Sequence, residues 1–355
     1  MLVETEKCIY ETKINLIQIE MTGFCNMNCK HCRANNEPKQ FFPEILYEYL
    51  LRVMEKEKGD DFKLTFSGGE PFIHLLLIKF IKKAKNSKIE NVVVTTNGSL
   101  VKKGDLETIN KLKFENFTIQ LSLDSLNEKK HDDFRNYNGA FKKVDSLLDE
   151  IKNYNYINSS IRMTITNESI SQMEDMVKYA ISKNCKLIGF GSVIPFGRAS
   201  NCLLSLSKIE KREFLYKLSE LSKKYDGVID VVTEDPLKSL IENSKWYIGN
   251  SIFEECTFGG CTAGIDSINI QCDGIITPCS MIKEKILDLK ECKKISDFNK
   301  KYNESELIKK LFERKFEGKC GNCKFNYQCG GCRASAKGRT DNLFGTDESC
   351  WLNDD

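Results

Sequence analysis

The amino-acid sequence predicts an α/β chain in which a partial (β/α)6 TIM-like barrel is followed by a small, Cys-rich α+β domain. Apolar runs rich in β-branched residues alternate with stretches of helical periodicity as far as about residue 200, where the alternation stops. The cysteines are bunched: of sixteen in 355 residues, three fall at 25–32 and ten between 256 and 350.

Six runs read as strands: INLIQIE from Ile14, DFKLTF from Asp61, NVVVTTNG from Asn91, NFTIQLSLDS from Asn116, SSIRMTIT from Ser159 and KLIGFGSVI from Lys186. Between them, apolar residues recur at spacings of three and four, as in PEILYEYLLRVMEKE from Pro43 and ESISQMEDMVKYAISKN from Glu168. Asn167 or Ser169 is placed to cap the second of these helices. Parallel strands separated by helices curl toward a barrel whose chemistry sits at the C-terminal strand ends. A polar helical connector from about residue 207 to 225 leads to short strands and turns, with a hairpin-like turn at Asp273-Gly274. The expected domains are 1–205 for the barrel, 206–250 for the connector and 251–355 for the Cys-rich region.

Lys+Arg 53 against Asp+Glu 51 gives a net charge of +2 with both signs interspersed, which leaves no basic stripe for nucleic acid. Glu4, Glu6, Lys7, Glu11 and Lys13 interrupt the apolar run that a signal peptide needs, and no apolar stretch reaches the length of a membrane span. Neither nucleic acid nor membrane is an expected partner, and the expected location is cytoplasmic. In that reducing compartment the cysteines point to metal binding or catalysis rather than to disulfides.

Residues 25–32 read CNMNCKHC, and a short loop can turn Cys25, Cys29 and Cys32 toward one point. Structural zinc takes four protein ligands, and His31 is adjacent to Cys32 and badly placed to be the fourth. A 4Fe-4S cluster also usually takes four cysteines. Three therefore point to a cluster with one iron left open. The second strand ends in SGGEPF, residues 67–72, where Gly68 and Gly69 permit a tight turn and close backbone approach and Glu70 offers a carboxylate.

In order and spacing these two motifs resemble those of radical S-adenosylmethionine (radical SAM) enzymes. The resemblance implies that the open iron chelates the amino and carboxylate groups of SAM. It implies that the reduced cluster passes an electron into the sulfonium, releasing methionine and a 5′-deoxyadenosyl radical that takes hydrogen from the substrate. It further implies that Gly68, Gly69 and Glu70 meet the methionyl amine, that Asn97, Ser122 and Asp124 contact SAM from strand ends, and that Arg135 in HDDFRNYNGAF pairs with the SAM carboxylate. Turn capping is the other reading of Asn97 and Ser122. Residues 191–195 would pass the adenine, His31 would pack against cluster or adenine, and His74 and His131 read as surface or capping residues.

The segments CTFGGCTAGIDSINIQCDGIITPC and CGNCKFNYQCGGCRA, with Cys350 in DESCW, resemble the SPASM domain, which usually holds two auxiliary 4Fe-4S clusters. By that resemblance Cys256, Cys261, Cys279 and Cys332 hold the first cluster, and Cys320, Cys323, Cys329 and Cys350 the second. The chain departs from the pattern where two residues rather than three separate Cys329 from Cys332. The gap before Cys261 varies among relatives, so Cys272 is an alternative to Cys256, and an open iron on the first cluster is another. A zinc knuckle of Cys320, Cys323, Cys329 and Cys332 is disfavoured, because zinc ribbons separate their CxxC pairs by more than the five residues found here. Cys8, Cys185, Cys202, Cys272 and Cys292 read mostly as buried small hydrophobes; one facing the barrel could instead donate a hydrogen atom.

SPASM enzymes mostly modify peptides and proteins. The resemblance thus implies a maturase that oxidatively modifies a ribosomally made peptide, by a crosslink, a thioether or similar, with a reductant such as flavodoxin or ferredoxin. Only 24 residues precede Cys25, too few for a fused leader-binding domain, so either a separate leader-binding protein presents the peptide or it docks between barrel and SPASM domain. Anaerobic sulfatase-maturating enzymes are one alternative, but they carry an Asp base after the cysteine matching Cys279, where this chain has Ser280, a much weaker base. Haem-pathway maturases of tetrapyrrole side chains are another, since CNMNCKHCRAN and CGGCRASAKGRTDNLFGTDESCW look like their terminal segments. The intact GGEP and Arg135 speak against a non-catalytic electron carrier.

Overall fold

The computed structural model describes residues 1–6, 8–33, 38–201, 203–242 and 259–354. The chain divides into two compact units. One comprises Met1–Ile19, Phe42–Phe62 and Asp235–Asp355, the other Glu20–Phe41 and Lys63–Glu234. In chain order the elements begin with β1 (Leu2–Glu4), β2 (Ile9–Glu11), β3 (Ile14–Glu20), α1 (Glu44–Glu57) and β4 (Lys58–Ser67). There follow α2 (Leu77–Asn86), β5 (Asn91–Thr96), α3 (Lys103–Lys111), β6 (Asn116–Ser122), α4 (Glu128–Arg135), α5 (Ala140–Ile151), β7 (Asn158–Ile165), α6 (Met173–Ser182), β8 (Leu187–Ser192), α7 (Lys208–Lys224) and β9 (Asp230–Val232).

In the second unit β4 to β9 pair in parallel and in sequence order, with Leu64 opposite Val92, Val92 opposite Phe117, Ile119 opposite Ser159, Ile161 opposite Ile188 and Leu187 opposite Asp230. Side chains alternate across a strand. One set, including Phe66, Val94, Ile119, Met163 and Phe190, is fully buried and forms the core of the unit. The other set, including Thr95, Gln120, Ser122, Arg162 and Thr164, is polar and half-buried. All six expected strands form.

Two details differ from expectation. A seventh strand, β9, extends the parallel ladder; at three residues it is too short to show a periodic signal. Residues Asn167–Gln172 form a 3-10 turn in which Thr166 N donates to Ser169 Oγ (2.9 Å), so α6 begins only at Met173 and Asn167 does not cap it. The connector is the single helix α7, closed at its start by a reciprocal pair in which Glu210 N donates to Ser207 Oγ (3.3 Å) and Ser207 N to Glu210 Oε2 (2.8 Å).

The first unit adds α8 (Ser239–Glu242), β10 (Ser267–Ile270), β11 (Ile275–Thr277), β12 (Leu287–Asp288), α9 (Ile295–Glu304), α10 (Glu306–Phe312), α11 (Gly318–Gly321) and α12 (Arg333–Thr340). Here β1 and β2 form a hairpin, β10 runs parallel to β3, and β10, β11 and β12 are antiparallel, with Gly274 in the left-handed region (φ 92°) at the expected hairpin turn. Phe298, Tyr302, Ile308 and Phe312 are buried between these elements, and Tyr302 donates its hydroxyl to Gly264 O (2.7 Å). Among the described residues no helix is long and apolar enough to cross a membrane.

Ile119 lies fully buried at the centre of β6. Ile119→Ala is expected to cost about 3 kcal/mol of stability. Chemical denaturation should show this as a lower midpoint at unchanged slope.

Candidate active site

After β3 the chain enters the loop that carries Cys25, Cys29 and Cys32, and this loop lies against the turn that follows β4. Gly69 N donates to Thr22 O (2.7 Å) and Glu70 N to Phe24 O (2.9 Å). The contact needs bare backbone. A methyl group on Gly69 would lie 2.0 Å from Phe24 O, and Gly68 takes φ 127°, where a methyl would lie 2.6 Å from Thr22 O. The buried Glu70 carboxylate accepts from Thr96 Oγ1 (2.7 Å), Asn97 N (2.9 Å) and Phe72 N (3.1 Å), which ties the ends of β4 and β5 together. Burial pushes Glu70 above the usual carboxylate range, against the pull of these donors.

Asn97 both caps its turn and reaches the cysteine loop: Oδ1 accepts from Ser99 N (2.9 Å) and Ser99 Oγ (2.6 Å), while Nδ2 donates to Asn26 Oδ1 (3.0 Å). Beyond β6, Arg135 Nε donates to Asp124 Oδ2 (2.6 Å), and Nη1 points to Cys29 Sγ at 3.9 Å. Asp124 Oδ1 accepts from Thr164 N (3.0 Å). Burial opposes the charge on Asp124, but the Arg135 guanidinium, with His31 and His131, holds it down at about 2. Burial pushes the Cys29 thiol up, and Arg135 pulls against it. Burial pushes the Cys25 thiol up to about 11 against the pull of the Met27 N–H, and the charges of Glu70, Cys29 and Cys32 add to the rise. Ser122 sits half-buried at the end of β6, opposite Arg162.

His31 stacks on Phe134 with centroids 4.5 Å apart and planes at 10°, and burial lowers it to about 3, so it is neutral. Its buried Nδ1 has no hydrogen-bond partner among the described residues. His74 and His131 are buried, so of the two expected roles, surface or capping, the structure shows capping. Each is an internal cap, accepting a backbone N–H at Nδ1: His74 from Leu76 (3.1 Å) and His131 from Asp124 (3.2 Å). A polar residue beside a turn looks exposed in sequence, while a buried turn needs acceptors.

Sequence reasoning missed several basic residues. Arg198 Nε donates to Cys29 O (2.6 Å) and its N–H to Cys32 O (3.0 Å), so the turn after β8 clasps the cysteine loop. Gly197 makes this possible, for at its φ of 58° a methyl would lie 2.4 Å from Cys32 O. Arg33 pairs with Glu20 at 3.0 Å. Arg162 crosses Gly191, where a methyl would lie 2.1 Å from its Nη2. The readable signal was the glycines in GFGSVIPFGR; the arginines they make room for are not neighbours in sequence.

In the first unit Cys320, Cys323, Cys329 and Cys350 line one cavity of about 440 Å³ together with Gly330 and Gly331. Three of their sulfurs accept backbone N–H bonds: Cys320 from Asp347 (3.3 Å), Cys323 from Phe325 (3.4 Å) and Cys329 from Gly331 (3.3 Å). Cluster sulfurs characteristically receive such donors, so the residues fit an iron-sulfur cluster. Cys261, Cys279 and Cys332 do not line this cavity; Cys261 N donates to Cys329 O (3.1 Å) and Cys332 N to Asp347 Oδ2 (2.8 Å). Cys256 and Cys202 lie outside the described residues. Cys272 is fully buried in the β10–β11 hairpin. Cys185 accepts from Ser159 Oγ (3.6 Å), and Cys292 donates to Asp288 O (3.6 Å). Among the described residues no three His, Cys, Asp or Glu side chains are gathered as the shell of a single metal ion.

Residues 19–180 match the Radical SAM superfamily. These residues form a radical SAM domain. It is 23% identical over 270 residues to the antilisterial bacteriocin subtilosin biosynthesis protein AlbA of Bacillus subtilis, a match covering 75% of this chain and 55% of AlbA, so the chain spans little more than half of AlbA. GTP 3′,8-cyclase of Clostridium botulinum is 27% identical over 78% of this chain and 84% of its own. AdoMet-dependent heme synthase of Oleidesulfovibrio alaskensis is 25% identical over 52% and 47%. Among solved structures, Streptococcus suis SuiB bound to S-adenosylmethionine covers 97% of this chain and 78% of its own at a TM-score of 0.78 and 18% identity. SuiB bound to the precursor peptide SuiA gives 0.77. At that identity the likeness is one of fold, and it extends beyond the radical SAM domain.

The close approach at Gly69 sets a direct test. Gly69→Ala is expected to destabilise the metal-free chain by about 2 kcal/mol or more, because its methyl meets backbone that cannot yield. Gly104→Ala in α3, whose methyl meets nothing within 4 Å, should be neutral or slightly stabilising. Equal denaturation midpoints for the two variants would refute the docking role of Gly69.

Proposed function

We propose that this protein is a radical SAM maturase that binds S-adenosylmethionine and oxidatively modifies a ribosomally made peptide. The observation that carries this reading is a fold likeness covering 97% of the chain to SuiB, a protein solved with S-adenosylmethionine and with a precursor peptide. The similarity to AlbA, a bacteriocin biosynthesis protein, supports it.

On this reading Cys25, Cys29 and Cys32 hold a 4Fe-4S cluster with one iron open to S-adenosylmethionine, and the group supplies the electron that cleaves the cofactor to a 5′-deoxyadenosyl radical. Gly68 and Gly69 seat the cysteine loop, and Glu70 braces the strand ends beneath it. Arg135 is oriented by Asp124 and offers its remaining donors to the cofactor carboxylate. Asn97 and Ser122 border the same place from their strand ends. Taking two hydrogens from a peptide leaves one electron to be accepted. The cavity lined by Cys320, Cys323, Cys329 and Cys350 is where the chain would hold an auxiliary cluster as acceptor. Cys261, Cys279 and Cys332, with Cys256, would hold another. Flavodoxin or ferredoxin would be the reductant, and a separate leader-binding protein could present the peptide.

The likeness to a heme synthase favours one second reading, modification of a tetrapyrrole side chain.

Anaerobically purified protein is expected to hold about a dozen irons, from three clusters of four. About four irons with one zinc would remove the auxiliary clusters from this reading and leave the first. Replacing Cys25, Cys29 and Cys32 together with Ala should abolish 5′-deoxyadenosine formation; release at the wild-type rate would defeat the assignment.

Substrate class is tested with small Cys-containing or aromatic-containing peptides. The expected product is about two mass units lighter, the loss of two hydrogens. Cys323 or Cys329 variants should keep some 5′-deoxyadenosine formation while product falls much further. If every such peptide stays unchanged and a tetrapyrrole turns over, the second reading replaces the first.

A further inference from the structure

We infer that Arg333 is the counter-charge of the auxiliary cluster held by Cys320, Cys323, Cys329 and Cys350, and that it raises the reduction potential of that cluster so that it can accept an electron. This rests on the proposed auxiliary cluster and adds a positioning and tuning residue to it.

Arg333 is the first residue of α12 and one of the largest fully buried side chains, at 1% exposure. Its guanidinium carbon lies 4.1 Å from the centroid of the Phe316 ring, and Nη1 donates to Leu343 O (3.1 Å) and Gly345 O (2.8 Å). Nε and Nη2 are buried and have no hydrogen-bond partner among the described residues. Leaving donors of a buried cation unmet is expensive, and the arrangement becomes favourable when an anion faces them. The nearby Asp347 carboxylate already accepts from Cys332 N (2.8 Å), Ser335 Oγ (2.7 Å), Ser349 N (3.0 Å) and Ser349 Oγ (2.7 Å).

The position of Nη2 points to the anion. A methyl group on Gly331 would lie 2.7 Å from Arg333 Nη2 and 3.2 Å from Cys320 Sγ. Guanidinium and sulfur thus approach the same point beside the bare backbone of a glycine in the left-handed region (φ 62°). Cys320 and Gly331 both line the cavity. A cluster ligated by four thiolates is anionic and gains one more negative charge on reduction. A fixed cation beside it, away from water, stabilises the reduced form more than the oxidised and raises the potential. Guanidinium suits the position because it is always charged and less strongly hydrated than an ammonium.

The test is an EPR-monitored redox titration of wild type, Arg333→Gln and Arg333→Lys, with iron counted in each. The expected result is a lower midpoint for one auxiliary cluster in Arg333→Gln and a midpoint nearer wild type in Arg333→Lys. Should Arg333→Gln fail to take up that cluster, Arg333→Lys decides: a bound cluster near the wild-type midpoint upholds the charge role, and loss of the cluster there too shows that shape rather than charge is required. Unshifted midpoints, or equal shifts in both variants, at full iron content overturn this inference alone. A wild type with only about four irons overturns the auxiliary-cluster reading beneath it.

Discussion

The backbone contact between the turn after β4 and the cysteine loop organises the active site. Residues 21–33 have almost no regular secondary structure, and the hydrogen bonds inside the loop, such as Met27 N to Cys25 Sγ (3.4 Å) and Cys32 N to Cys29 O (3.3 Å), are joined by clamps from neighbouring segments. Gly69 and Glu70 hold Thr22 and Phe24, Arg198 holds the carbonyls of Cys29 and Cys32, and the loop's own Arg33 is tied to Glu20. Each clamp uses a carbonyl or a charged partner that would otherwise be buried unpaired. Gly69 and Gly197 stand at two of these contacts, where a Cβ would overlap a carbonyl oxygen.

Two buried arginines illustrate two uses of charge. Arg135 is matched inside the protein by Asp124, and that pair holds the guanidinium in a fixed orientation beside Cys29. Arg333 has carbonyls and an aromatic face for part of its guanidinium, while two of its nitrogens face no hydrogen-bond partner among the described residues. A paired cation is a rigid part of the protein, and an unpaired one declares the charge of what it faces. Both lie near cysteines, Arg135 by Cys29 and Arg333 by Cys320.

The relatives differ in what they make while sharing the framework, as expected when function resides in sites placed on a common fold. In this chain the buried face of the parallel ladder is ordinary aliphatic and aromatic packing. The opposite face carries Thr95, Gln120, Ser122, Arg162 and Thr164, and Gly191 leaves room for the Arg162 side chain. Chemistry is therefore separated from stability by the alternation of the strand, and one face can change while the other keeps the fold.

The strand runs from Ile14 to Lys186, the helix from Ser207, the cysteine triplet and the GGEP turn were all legible in sequence, because each depends on periodicity, capping chemistry or spacing within a few residues. What needed the tertiary structure were pairings between distant residues: Arg198 with Cys29, Asp124 with Arg135, Arg333 with Cys320 beside Gly331, and the internal roles of His74 and His131. Local sequence sets the cost of each backbone conformation. Which buried donor meets which acceptor is decided only when the chain closes and water is excluded, and no residue carries that information alone.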